Sequence, residues 1–205
     1  MGLVSIPVTV THPDPDELKA ARDSYSPDLE MKLLTVENWV QADYVNLIFV
    51  RVDPSTGEVR PMTGGDYMEV ILEPKLDPAV PLEIRRLFEI GRGMMAYGYF
   101  FYPLYAASVD HLYRVAEAAV RLRVSQKGGP ARLTFEKLID WLAGNGGLTP
   151  AEVGRWHVLR KLRNQGTHRD RPTQFPAGTA VSLAQAVAED VNALFGVPRP
   201  AKRRR

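Results

Sequence analysis

The sequence predicts a mainly α fold: a helical bundle with a small α+β region at its N-terminal end. Three observations carry that expectation. From Leu82 onward, apolar residues recur three and four positions apart over long windows, the pattern of amphipathic helices. Before residue 80 the periodicity alternates with β-rich runs and turn residues, as short strands and hairpins require. Between the two, Pro74, Pro78 and Pro81 punctuate a stretch that reads as a stiff linker, dividing an N-terminal region, 1–80, from a helical domain, 81–198.

In the N-terminal region, Val8-Thr9-Val10 suits a short strand ending at His12-Pro13, with His12 at the surface before an acidic turn. Asp16-Glu17 supplies the acidic first turn of a helix that runs to Arg22, and Ser26-Pro27-Asp28 breaks the chain. Leu29, Leu33, Val36 and Val40 are spaced four, three and four apart and predict a helix over 29–42. Tyr44–Val52 is β-rich, Asp53–Gly57 is a turn, and 58–62 returns as the second strand of a hairpin. Gly64-Gly65 breaks the chain, and Tyr67–Leu72 reads as a third strand. The carboxylates here have no metal-loop spacing, and Gly64-Gly65-Asp66 lacks the Lys-Ser/Thr ending of a phosphate-binding loop. No function is legible in residues 1–80.

Helical pattern governs the rest. Leu82 to Ala96 forms the first helix. The following YGYFFYPLY, Tyr97–Tyr105, is an aromatic cluster with no interleaved Lys or Arg, so it reads as core or a dimer interface before a platform for stacking bases, and Pro103 kinks or starts a helix. Leu104–Val124 is the most regular element. Val109, Leu112, Ala116, Ala119 and Val120 make its buried stripe; Asp110, Arg114, Glu117 and Arg121 make a polar stripe of alternating sign, with His111 at the core edge. Gly128-Gly129-Pro130 is a loop, 133–144 a helix, and Asn145-Gly146-Gly147 its terminator. Thr149-Pro150-x-Glu152 then has the form of a capping box with Pro at the first helical position. His157, in the middle of the helix that follows, is read as structural. Ala180–Phe195 is the last helix, and 199–205 a disordered basic tail that either holds nucleic acid or is an expression appendage.

Composition excludes several classes. With 45% apolar and 24% charged residues the chain has enough apolar content for a core, and with no Cys it has neither disulfides, thiolate zinc sites nor a Cys nucleophile. MGLVSIPVTV lacks a basic n-region and is broken by Ser5 and Pro7, so it does not read as a signal peptide, and no run suits a membrane span; the expected location is cytoplasmic. The net charge of +2 hides an asymmetry: 6 Lys+Arg against 14 Asp+Glu in 1–80, but 11 against 4 in 121–171. A positive field of that kind suits a phosphate backbone, and the acidic region is expected to dock near the basic one.

The basic segment holds the one constellation with chemistry in it, WHVLRKLRNQGTHRD, Trp156–Asp170. Val153, Trp156, Leu159 and Leu162 recur every three residues; then Arg163-Asn164 closes the apolar run and His168 arrives among Arg169, Asp170 and Arg171. On an unbroken helix Arg163 and His168 stand roughly 140° apart, so Gly166 is expected to bend or end the helix and bring them together. A fixed guanidinium beside a titratable imidazole suits a phosphodiester: Arg grips phosphate oxygens and His moves protons near neutral pH.

Arg163-Asn164-x-x-x-His168 resembles the Arg-polar-x-x-x-His motif of HEPN domains, all-helical modules of prokaryotic toxins and defence proteins, and YRVAEAAVRLR resembles their long early helix. The resemblance implies a metal-independent endoribonuclease, a toxin or phage-defence effector without cofactor, in which two protomers pair. Arg163, Asn164 and His168 would be the catalytic set, with Glu117, or else Asp110, supporting the motif Arg. Arg160, Lys161, Arg169 and Arg171 would bind RNA, and an antitoxin or regulatory protein is a further implied partner. One departure is Asp170, where HEPN toxins silenced by a nucleotidyltransferase carry Tyr. The alternative is a HEPN scaffold without catalysis that binds a protein, nucleotide or nucleic acid.

Overall fold

The computed structural model describes residues 14–130, 132–167 and 175–199. Among them are eight α-helices and four short strands, a mainly helical chain. The helical part is organised around α5 (Leu104–Gln126), whose 23 residues span roughly 35 Å. Against it pack α4 (Leu82–Tyr97), α6 (Phe135–Gly144), α7 (Pro150–Thr167) and α8 (Ala177–Leu194). The expected stripe of α5, Val109, Leu112, Ala116, Ala119 and Val120, is buried, and so are Tyr105, Tyr113, Val115 and Val124. A helix buried on that many sides is the centre of a bundle rather than one of its faces. On α8, Ala180, Ala184 and Ala188 are buried four apart, and such small side chains let two helix axes approach closely. Full burial of a residue such as Phe88 or Leu112 contributes roughly 1.5–3 kcal/mol.

The ends of these helices follow local rules. The Thr149 hydroxyl accepts from the Glu152 amide at 3.4 Å, and the Glu152 carboxylate accepts from the Thr149 amide at 2.8 Å, the expected capping box of α7. Pro103 precedes α5, as expected of a helix start. The α4–α5 corner needs Gly98: a Cβ there would lie 2.8 Å from carbons of the Tyr105 ring.

The N-terminal part departs from expectation at three places. Its first helix, α1 (Pro15–Asp23), is where the acidic turn put it, followed by the minimal hairpin β1 (Tyr25–Ser26) and β2 (Met31–Lys32). The 29–42 helix does not form. Glu30 takes a left-handed conformation (φ 53°), and the Asn38 side chain binds Thr35 N at 2.9 Å and Leu33 O at 2.8 Å, so local hydrogen bonds replace the helical ladder. The β-rich 44–52 run opens as one helical turn, α2 (Tyr44–Leu47), capped by Asp43, before β3 (Val50–Val52) pairs with β4 (Val59–Pro61) as the expected hairpin. The expected third strand is instead α3 (Gly64–Ile71). Thr63 and Asp66 form a capping box there, and Tyr67 and Ile71, one turn apart, face the core.

The stretch 74–81 is tied into the fold. The Asp77 amide donates to the Asn192 side chain at 2.9 Å, Asn192 donates back to Lys75 O at 3.0 Å, and Val80 is buried. One hydrophobic cluster runs from Tyr67 and Ile71 through Val80 into Phe88, Leu112 and Leu138. The aromatic stretch is covered from the same side. Tyr102 and Tyr105 are buried edge to face, 5.3 Å apart, and Tyr99 sits 5.3 Å from Tyr67 of α3, while Tyr97 is exposed. Among the described residues, no helix is long and apolar enough to cross a membrane. The strand expected at Val8–Val10, His12 and residues 200–205 lie outside the described residues. Arg199, the first residue of the expected disordered tail, is packed instead: it pairs with the buried Asp190 of α8, which Arg155 of α7 also contacts at 3.1 Å.

Candidate functional site

Helix α7 crosses the bundle with its amino-terminal half beside α8 and one long face against α5 and α6. Trp156 and Leu159 are buried and hold it there. Three apart along that inner face stand His157, Arg160 and Arg163, and each meets a carboxylate from a neighbouring helix. His157 Nε2 lies 3.3 Å from the Asp140 carboxylate, Arg160 Nη2 lies 3.2 Å from Glu136, and Arg163 Nη1 lies 2.8 Å from Glu117. The first two partners sit one turn apart on α6 and run opposite to α7, as an antiparallel helix pair dictates. The third comes from α5.

Glu117 is shared. Its second oxygen accepts from Arg121 Nη2 at 3.0 Å, an i,i+4 pair on α5, and Arg121 also donates to Leu133 O at 3.3 Å. The polar stripe of α5 is therefore laced by its own ion pair and also reaches across to Arg163 of α7. One largely buried carboxylate thus accepts from two guanidinium groups, one on each of its oxygens, which holds the planes of both in place. Asp110 lies about two turns earlier on α5 and is exposed.

The remaining candidates divide. Asn164 is exposed at the end of α7, and Lys161 is exposed on its outer side. Arg160 is mostly covered, with its side chain 19% exposed and its Nε lacking a partner among the described residues. His168, Arg169 and Arg171 lie outside the described residues, as does Asp170. As described, the helix includes Gly166 and runs to Thr167, one residue beyond it. The acidic region does not dock beside the motif in the described residues. It packs at the Gly98–Tyr105 end of α5, and Glu117 stands twelve residues further on, roughly 18 Å along the axis.

Sequence reasoning missed the Asp140–His157 and Glu136–Arg160 pairs. Their signal was present: two acids four apart on one helix, a His and an Arg three apart on the next, joined by a short turn. Only the antiparallel packing of α6 on α7 brings them opposite one another. Also missed was the cluster around Asp66. Its carboxyl is held well below the usual carboxylate range, first by Arg60, then by Thr63 and Arg51, against the opposing effect of burial. That cluster fixes the β3–β4 hairpin to α3. Among the described residues no group of His, Cys, Asp and Glu is placed to hold a metal ion. Compared with family models, with curated proteins and with solved structures, the chain matches none.

Proposed function

We propose that this chain is a metal-independent endoribonuclease of the HEPN type, working in the cytoplasm as a toxin or phage-defence effector with two protomers paired. The observation that carries the reading is the 2.8 Å pair between Arg163 of the motif and Glu117 of the long helix α5. A guanidinium anchored by a carboxylate keeps its position while substrate enters, which is the preorganisation that charge stabilisation requires. In this reading the 2′-hydroxyl of RNA attacks the adjacent phosphorus and the bond to the 5′ oxygen breaks. His168 takes the proton of the attacking hydroxyl or delivers one to the departing oxygen. Arg163 stabilises the charge that builds on the phosphoryl oxygens, and Asn164 orients Arg163 or the phosphate. The products are a 2′,3′-cyclic phosphate and a 5′-hydroxyl.

A second reading, a helical scaffold without catalysis, is favoured by a specific observation. His157, Arg160 and Arg163 each stand against a carboxylate of the same chain, and an RNA phosphate would have to compete with Glu117, Glu136 and Asp140 for them. Cleavage of mixed RNA in excess EDTA, with analysis of the product ends, separates the two. The ribonuclease reading expects His168→Ala and Arg163→Ala each to lower the rate by about 10²–10⁴ with the helical circular dichroism unchanged. Cleavage that survives both substitutions, or that needs Mg²⁺, rejects it.

A further inference from the structure

The 29–42 loop, which runs from the β1–β2 turn through β2 toward α2, is built inside out. Its polar residues point inward: Lys32 is 2% exposed, and its ammonium donates to Asn38 O at 2.6 Å, Gln41 O at 2.7 Å and Phe100 O at 3.1 Å. Asn38 is buried beside it and pins Thr35 N and Leu33 O. The apolar residues point outward. Leu29, Leu33, Leu34 and Val40 are each at least half exposed, Trp39 is 59% exposed, and Val36 is 85% exposed. Burying an ammonium while six large apolar side chains within twelve residues stay exposed is costly, and such a concentration of exposed apolar residues marks an interface. The loop is also preformed, because the Lys32 and Asn38 hydrogen bonds fix its backbone before any partner arrives. Its frame is acidic, with Asp28, Glu30 and Glu37 exposed around the apolar residues and Glu17 lining the pocket beside Val40.

A surface of the complementary kind lies on α7. Its outward side carries Ala151, Gly154, Val158, Lys161 and Leu162, all exposed, at the spacing of one helix face. Val158 is 55% and Leu162 41% exposed, so this is an apolar stripe with a cation in it. It belongs to the segment that carries 11 Lys+Arg against 4 Asp+Glu. Within one chain the two surfaces do not meet, because the loop is bound to the far end of α5 through Phe100.

We propose that the 29–42 loop of one copy of this chain docks on the outer face of α7 of a second copy, Trp39 and Val36 against Val158 and Leu162, with the acidic frame facing Lys161. The contact places the loop over the helix that ends in Arg163 and Asn164, but it stands whether or not that helix end cleaves RNA. The acidic frame argues against a lipid surface, since anionic headgroups would be repelled.

The test is complementation between two one-sided variants of the full chain, followed by sedimentation velocity at micromolar concentration. Val36→Glu spoils the loop and leaves α7 intact; Leu162→Glu does the reverse, and Val158→Glu stands in should Leu162→Glu lose its helical circular dichroism. The wild type is expected to self-associate, less so as salt screens the charges. Each variant alone is expected to weaken association by at least about tenfold, as loss of a central apolar anchor does. A mixture of the two recovers complexes, because one intact loop still meets one intact α7. A monomeric wild type, association that survives either variant, or a mixture that recovers nothing overturns the proposal. So does loop-dependent capture by phosphatidylcholine vesicles, or self-association that appears only when residues 1–12 are deleted, which would give the loop to lipid or to the chain's own first residues. RNA cleavage is not read in any arm, so its absence leaves this result untouched.

Discussion

The bundle of α4–α8 and the part that precedes it are held together by opposite means. In the bundle, apolar side chains face inward at helical spacing and the interior is close to purely hydrophobic, from Phe88 through Leu112 and Leu138 to Val191. In residues 14–73 much of the cohesion is polar. Lys32, Asp43 and Asn46 are buried, and between them they satisfy main-chain groups of Gly98, Tyr99, Phe100 and Tyr102 at the α4–α5 corner. Asp66 ties two arginines and a helix cap together. The apolar residues of that part lie largely outside. The contrast teaches that hydrophobic residues report stability in one region and recognition in the other. A hydrophobic core tolerates approximate geometry, whereas a buried hydrogen-bonded ion does not.

The contrast can be broken first where it is strongest. Phe88→Ala removes a fully buried ring from the bundle and is expected to cost about 3–5 kcal/mol in urea unfolding. A loss below about 1 kcal/mol would mean that the bundle core is not close-packed. Next, Lys32→Met leaves three carbonyls without their donor and is expected to cost about 2–4 kcal/mol despite making the residue more apolar. Unchanged or increased stability would show that the N-terminal part is held by apolar contact after all.

The Asp66 cluster sharpens the comparison through pH. Because Arg60 and its neighbours depress the folded-state pKa of Asp66, its contribution is fully present above about pH 4 and is lost as pH falls toward that depressed value. Asp66→Asn should melt earlier than the wild type at pH 7, with the gap narrowing at pH 3; parallel melting curves would dismiss the carboxylate as a source of stability. Smaller still is Glu117→Gln, which touches pairs with partly exposed arginines and is expected to cost no more than about 1 kcal/mol thermally. Smallest is Val36→Ser, expected within about 0.5 kcal/mol of wild type, since an 85% exposed Val contributes recognition rather than cohesion. A larger loss would place Val36 against something in its own chain.

The helices from residue 82 on were legible in the sequence by their apolar spacing, reinforced at two starts by local signals: Pro103 before α5, and Thr149 and Glu152 at α7. The capping signal at Thr63-x-x-Asp66 was equally local and would have identified α3, but two glycines beside it pointed to a break. Tertiary structure alone decided the rest. Leu29, Leu33, Val36 and Val40 have helical spacing, yet all four are exposed, and Lys32 is buried against three carbonyls instead. The motif Arg was visible in the sequence, and Glu117 stood out as a polar residue on a buried helix. That their side chains meet depends on how α7 crosses α5, and that His157 and Arg160 stand against carboxylates depends on how α6 runs beside α7. Periodicity and capping act over one or two turns, within reach of the chain's own neighbours. Ion pairs between helices are set by crossing geometry, which only the packing of the whole core determines.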